Sequence, residues 1–210
     1  YCESLNIYNN VNIFKKPLEY IDFNEKISLN KNYRQQKNII DFSNRFCENA
    51  NEYIKTLRNN VNRDLYKKSN SILKNGITSQ IVKVDDLEDQ INAILWEIEY
   101  LVKNKGLDYG DIAIVFPYNK KKLKNGKTIY FQYLLRKALD DVNISYIIGD
   151  DDLTKHAKKT GITLSNLYFI KNLEYKAVVF CELEMLYNQT INKEDQDYQI
   201  NDFIGDLNKI

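Results

Sequence analysis

Apolar residues recur along the chain with two rhythms. Ile40, Cys47, Ala50, Ile54 and Leu57 fall at helical spacing and predict a helix over 36–57. Leu87, Ile91, Ile94, Leu95, Ile98, Leu101 and Val102 share one face of a second helix over 87–104, opened by Asp85 or Asp86 and ended at Gly106. A third helix is expected over about 129–141. Short apolar runs stand around these helices: residues 27–30, QIVKV (80–84), DIAIVF (111–116), SYIIG (145–149), GITLSN (161–166) and KAVVFCEL (176–183). Each predicts a strand, and the near-continuous runs at 111–116 and 176–183 suit buried parallel strands. The polar stretch 58–78, with Asn75-Gly76, reads as a loop, as does the basic stretch after Phe116.

Strands alternating with helices predict βαβ units: an α/β fold with a mostly parallel sheet and helices on both faces. Ligands of such sheets gather at the carboxyl ends of the strands. Tyr33-Arg34 follows one such end and Asn119 another.

Composition changes this picture little. The chain has 210 residues, 43% hydrophobic, with Lys+Arg 30 against Asp+Glu 29, enough for one α/β domain with a nearly neutral charge. Local patches therefore decide whether it meets nucleic acid. Cys2, Cys47 and Cys181 have no metal or redox spacing, and His156 is the single histidine. A reducing compartment follows, and with no apolar run long enough to span a bilayer and no signal sequence, a soluble cytoplasmic protein is expected, with no membrane partner.

Several motifs have plain readings. NGKT (125–128) precedes a helix, but the first glycine of a P-loop would fall at Lys121; Gly126 reads as a turn residue and Thr128 as the start of the helix. The lysine run 119–127 is a solvated loop or a phosphate-backbone contact. His156 reads as a surface residue, Trp96 as packing, and Asp150–Asp152 as a helix-start cluster rather than a metal site. No nucleophile–histidine–acid set can be assembled, so no metal site and no independent catalytic centre are expected.

Four blocks occur in one order: LNKNYRQQKNIIDFSNRF (29–46), DIAIVFPYN, LLRKALDDVNISYIIGD and ITLSNLYFIKNLEYKAVVF. That order resembles the second RecA-like domain of superfamily 1 helicases of the UvrD/Rep type. The first block is similar to the family's motif IV, L-x-x-N-Y-R-S, and the last to its motif V, T-x-H-x-x-K-G-L-E-F. The resemblance implies a RecA-like, P-loop NTPase-type fold. It implies that Tyr33 stacks on the adenine of ATP, that Arg34 is the catalytic guanidinium reaching the γ-phosphate, and that Glu174 lies near the nucleotide. It implies single-stranded DNA as a partner, with Asn119, Asn166 and Tyr168 as contacts. Pro117 and Asn172 depart from the family pattern, standing where Arg and Gly are usual.

By the same resemblance, residues 1–26 are a remnant of the inter-domain junction, and 27–210 is the second RecA-like domain, cut short at its C-terminus and without the family's large inserted subdomain. The first RecA-like domain, a partner within the same protein, would precede Tyr1 and hold most of the ATP phosphates and the Mg²⁺. Alone, this chain is then expected to be inactive. Two rivals remain: a non-catalytic nucleic-acid-binding or partner module keeping the fold, and an unrelated doubly wound nucleotide- or phosphate-binding domain. For Tyr33 and Arg34 the plain alternative is packing and pairing at a helix start.

Overall fold

The computed structural model describes residues 30–57, 68–76, 79–117, 119–122, 126, 128–149, 160–167, 169–170 and 173–185. The chain divides into two compact units, Tyr1–Lys83 and Val84–Ile210. The boundary expected at residues 26–27 lies outside the described residues, as do Asp150–Asp152, His156 and Tyr168.

The first unit is a βαβ element: β1 (Lys31–Asn32), α1 (Lys37–Leu57) and β2 (Asn70–Ser71), the two strands parallel. Helix α1 buries Ile40, Cys47 and Ala50 of the predicted stripe; the side chains of Ile54 and Leu57 lie outside the described ones. Strand β2 lies within the stretch expected to be a loop. Its Asn and Ser carry no apolar alternation, and backbone bonds make the strand: Asn70 N–H donates to Asn30 O at 2.8 Å and Ile72 N–H to Asn32 O at 3.1 Å. The Asn44 carboxamide holds the approach to β2, donating to Ser69 O at 2.8 Å and accepting from Ser69 N–H at 3.0 Å. QIVKV (80–84) is a second correction. It forms no strand, and Ile81 is 77% exposed, because β-prone residues make a strand only when a neighbour takes their backbone bonds.

The second unit opens with α2 (Leu87–Lys105). Asp86 starts it by accepting from Asp89 N–H at 2.9 Å, and Gly106 ends it in the left-handed conformation, φ 66°. After a 3-10 turn at Tyr109–Asp111 come β3 (Ile112–Phe116), β4 (Lys120–Lys122), β5 (Thr128–Tyr130), α3 (Phe131–Asp141), β6 (Tyr146–Ile148), β7 (Ile162–Asn166) and β8 (Ala177–Phe180). Four of these strands form a parallel sheet in the order β6-β7-β3-β8, with Ile114 opposite Leu164 on one side and Val179 on the other. At Gly161 the chain enters β7 so close to its neighbour that a Cβ would lie 2.5 Å from Ser145 O. The fold is therefore mixed α/β with a parallel sheet, as the alternating pattern implies.

One face of this sheet presents Ile112, Ile114, Phe116, Ile162 and Leu164 to Ile94, Ile98 and Leu101 of α2 and to Phe131, Leu135 and Leu139 of α3. Helices on both faces were expected. Among the described residues, both helices of this unit pack on the same face. Ala113 and Val115 on the other face are covered by Leu167, Ile170 and Tyr175 of the β7–β8 connection and by Phe180. Buried polar groups there find partners: Thr163 Oγ1 accepts from the Tyr175 hydroxyl of the β7–β8 connection at 2.9 Å, and Ser165 Oγ donates to Asn166 O at 3.1 Å.

Two smaller expectations are corrected. The basic stretch after Phe116 contains an antiparallel hairpin, β4 with β5, and Thr128 begins β5 while the helix starts at Phe131. Trp96 is 64% exposed and stacks on Tyr100, ring centroids 5.6 Å apart. It stands two residues from both Ile94 and Ile98, a rotation of about 200° that carries it to the far side of the helix. Among the described residues, no helix is long and apolar enough to cross a membrane.

Candidate functional site

In the first unit, β1 ends in a turn made by Asn32. Its Oδ1 accepts from the N–H groups of Arg34 at 3.0 Å and Gln35 at 2.8 Å, and its Nδ2 donates to Gln35 Oε1 at 2.9 Å. Ser71 Oγ in β2 donates to Gln35 O at 2.6 Å and fixes the same corner from the other strand. With Asn32 and Gln35 committed to the turn, Tyr33 and Arg34 project at the carboxyl end of β1. Arg34 is exposed and Tyr33 is 68% exposed, so the tyrosine ring is not packing material. The corner thus holds a wet aromatic face beside a guanidinium. This pairing suits a base and a phosphate, the first through stacking and the second through charge and a forked donor.

In the second unit, Asn119 and Asn166 meet at the carboxyl ends of β3 and β7. Asn166 Nδ2 donates to Asn119 Oδ1 at 3.4 Å. Asn166 is buried, and its Oδ1 accepts from Phe169 N–H at 3.2 Å, so part of its carboxamide shapes the turn after β7. Its backbone O accepts from Ile170 N–H at 3.2 Å, and Leu167 N–H continues the ladder to Phe116 O at 3.1 Å. Asn119 is the exposed member of the pair. The structure therefore brings together two of the three expected strand-contact residues; Tyr168, the third, lies outside the described residues.

Glu174 is not at this end. It is exposed and precedes β8, where Lys176 N–H donates to Asp111 O at 3.0 Å and Lys176 Nζ to Asp111 Oδ2 at 2.9 Å. That contact is at the start of β3, so Glu174 stands at the amino ends of the strands, opposite Asn119 and Asn166. The bond to Asp111 raises the Lys176 pKa above its ordinary value by favouring the ammonium form.

Glu182 is a strand-end residue that sequence reasoning did not single out. Cys181 N–H bonds Val115 O at 2.9 Å, and Glu182 follows at the exit of β8, beside the exit of β3. It is 1% exposed and left-handed, with φ 60°. A left-handed backbone costs a non-glycine residue about 1–2 kcal/mol, and such strain gathers where surrounding structure holds a residue in place. The one signal in the sequence was a charge interrupting the apolar run KAVVFCEL. Glu182→Gly and Glu182→Ala both remove the carboxylate, but only glycine accepts this φ freely. The glycine variant is expected to be the more stable by about 1 kcal/mol in urea denaturation; equal stabilities would mean that the backbone at 182 is not left-handed.

Among the described residues, no three His, Cys, Asp or Glu side chains gather where they could hold a metal ion. Comparison with protein-family models, with curated proteins and with solved structures finds no match to this chain.

Proposed function

We propose that this chain is the second RecA-like domain of a superfamily 1 helicase or translocase of the UvrD/Rep type, supplying part of an ATP site and part of a single-stranded DNA track. The observation that carries the reading is the β1–α1 corner. Asn32 and Gln35 make the turn, and an exposed Tyr33 and Arg34 stand together at a strand's carboxyl end. In this reading Tyr33 stacks on the adenine and needs none of its edge atoms. Arg34 meets charge that develops on the transferring γ-phosphoryl group. The first RecA-like domain of the full-length protein holds the remaining phosphate contacts and the Mg²⁺, so hydrolysis requires both domains. Asn119 and Asn166 contact the strand without reading its sequence, as a motor that must step along any sequence requires.

The test is the ATP hydrolysis rate of the full-length protein with and without single-stranded DNA. Stimulation by the strand is expected. A protein that binds the strand and hydrolyses no ATP would replace this reading with that of a non-catalytic nucleic-acid-binding module.

A further inference from the structure

The nucleotide reading leaves one face of α1 unused. Asp41 and Phe42 stand three and four residues after Asn38, and Arg45 stands four and three residues after them, so the four share one side of the helix. The chain beyond β2 turns back along that side and brings Asn75, Gly76 and Ser79 opposite it, leaving an open groove of about 320 Å³. Its walls are tied together: Gly76 N–H donates to Asn38 Oδ1 at 2.9 Å, and Lys37 N–H to Lys74 O at 3.2 Å. Lys37 Nζ holds Asp41 Oδ2 at 2.5 Å from the adjoining turn.

The lining sets the class of ligand. Phe42 is its one large apolar side chain and is 47% exposed, so a wet ring face looks into otherwise polar surroundings. Two carboxamides, a carboxylate and a hydroxyl can pair with the edge of a planar polar ring. The Arg45 guanidinium can take a phosphate or lie over a π face. An aliphatic ligand would strand these polar groups, whereas a nucleobase uses both the ring and the edges. The volume stands at the lower end of the roughly 300–1,000 Å³ usual for ligand pockets, which suits one nucleotide. The unit thus carries two aromatic–guanidinium pairs, Tyr33 with Arg34 and Phe42 with Arg45.

We propose that this groove is a second nucleobase subsite, separate from the Tyr33 corner, that takes one base and its phosphate from a single-stranded nucleic acid. The choice of a strand rather than a free mononucleotide rests on the helicase reading; the groove's chemistry does not.

Fluorescence anisotropy of the full-length protein with a labelled single-stranded oligonucleotide, competed with AMP, tests the proposal. Phe42→Ala is expected to weaken oligonucleotide binding about 5- to 100-fold, the effect of losing one stacked base, and Phe42→Trp to restore it. Arg45→Ala, at an exposed position, is expected to lower the salt dependence of binding by about one unit of log–log slope. An oligonucleotide affinity indifferent to both alanine variants overturns the subsite. AMP binding that is lost in Phe42→Ala, with oligonucleotide binding intact, overturns the strand as its ligand. The two readings fail separately. Strand-stimulated hydrolysis with both variants silent sinks the groove alone. Phe42-sensitive strand binding without hydrolysis sinks the motor alone.

Discussion

Arg34→Ala in the full-length protein is expected to lower single-stranded-DNA-stimulated ATP hydrolysis by roughly 10³- to 10⁵-fold, the range over which a guanidinium acts on a transferring phosphoryl group. On the proposed helicase reading ATP should still bind, because that reading's aromatic contact at Tyr33 and the phosphate contacts it assigns to a first domain would be untouched. The effect is expected to be large because, in the proposed role, Arg34 would meet a charge that is greatest in the transition state, so its loss would fall on the chemical step more than on binding. Arg34→Lys should recover little: an ammonium is a point charge without the planar fork, and its shorter reach leaves the phosphoryl oxygens unmatched. Single-turnover hydrolysis beside equilibrium binding of a fluorescent ATP analogue separates the two steps. A hydrolysis rate indifferent to the substitution would keep the motor and remove Arg34 from the phosphate. Loss of binding in step with loss of rate would make Arg34 a ground-state contact instead.

Phe131→Ala is expected to destabilise the second unit by about 3–5 kcal/mol, the usual cost of truncating an enclosed phenylalanine. Phe131 is fully buried at the start of α3 and meets Phe116 edge-on, ring centroids 5.9 Å apart and planes inclined by 65°. The cavity would open where α3 meets the end of the central strand β3, in the cluster that also holds Leu135, Leu139, Ile114 and Leu164. A loss of this size is a large part of the roughly 5–15 kcal/mol that holds an ordinary domain together. Urea denaturation gives the value. A cycle with Phe116→Ala should return a coupling of about 0.5–1.5 kcal/mol for the aromatic pair. A single-variant loss below about 1 kcal/mol would mean that the ring is not enclosed.

Three helices were legible in the sequence because each repeats one burial pattern for many residues. The stripe Ile94, Ile98, Leu101 of α2 is buried as its spacing implies, and Asp86 and Gly106 bound that helix by local chemistry. The continuous apolar run at β3 likewise marked a strand covered on both faces, and all five of its residues are buried. The exposed side of α2 could have been read from the same helical phase, since Trp96 is out of step with the stripe by half a turn. The candidate corner at Tyr33 and Arg34 was visible as a strand-to-helix junction carrying an aromatic residue and an arginine side by side.

What the sequence determined by itself was therefore local: which segments are helical, where caps and turns begin, which side of each helix is apolar, and the α/β alternation. Tertiary structure decided the rest. QIVKV has strand composition and no strand, while Asn70–Ser71 has no such composition and pairs with β1. Both α2 and α3 chose one face of the sheet, and the β7–β8 connection closed the other. The sequence placed Glu174 in one motif block with Asn166, yet the structure sets them at opposite ends of the strands. Asn119 and Asn166, 47 residues apart, come within a hydrogen bond. The physical reason is common to all of these. Periodicity reports how one element divides its own surface between core and water. Strand pairing, sheet face and the meeting of strand exits depend on backbone groups and side chains distant in sequence, and no spacing within a segment encodes which partner satisfies them.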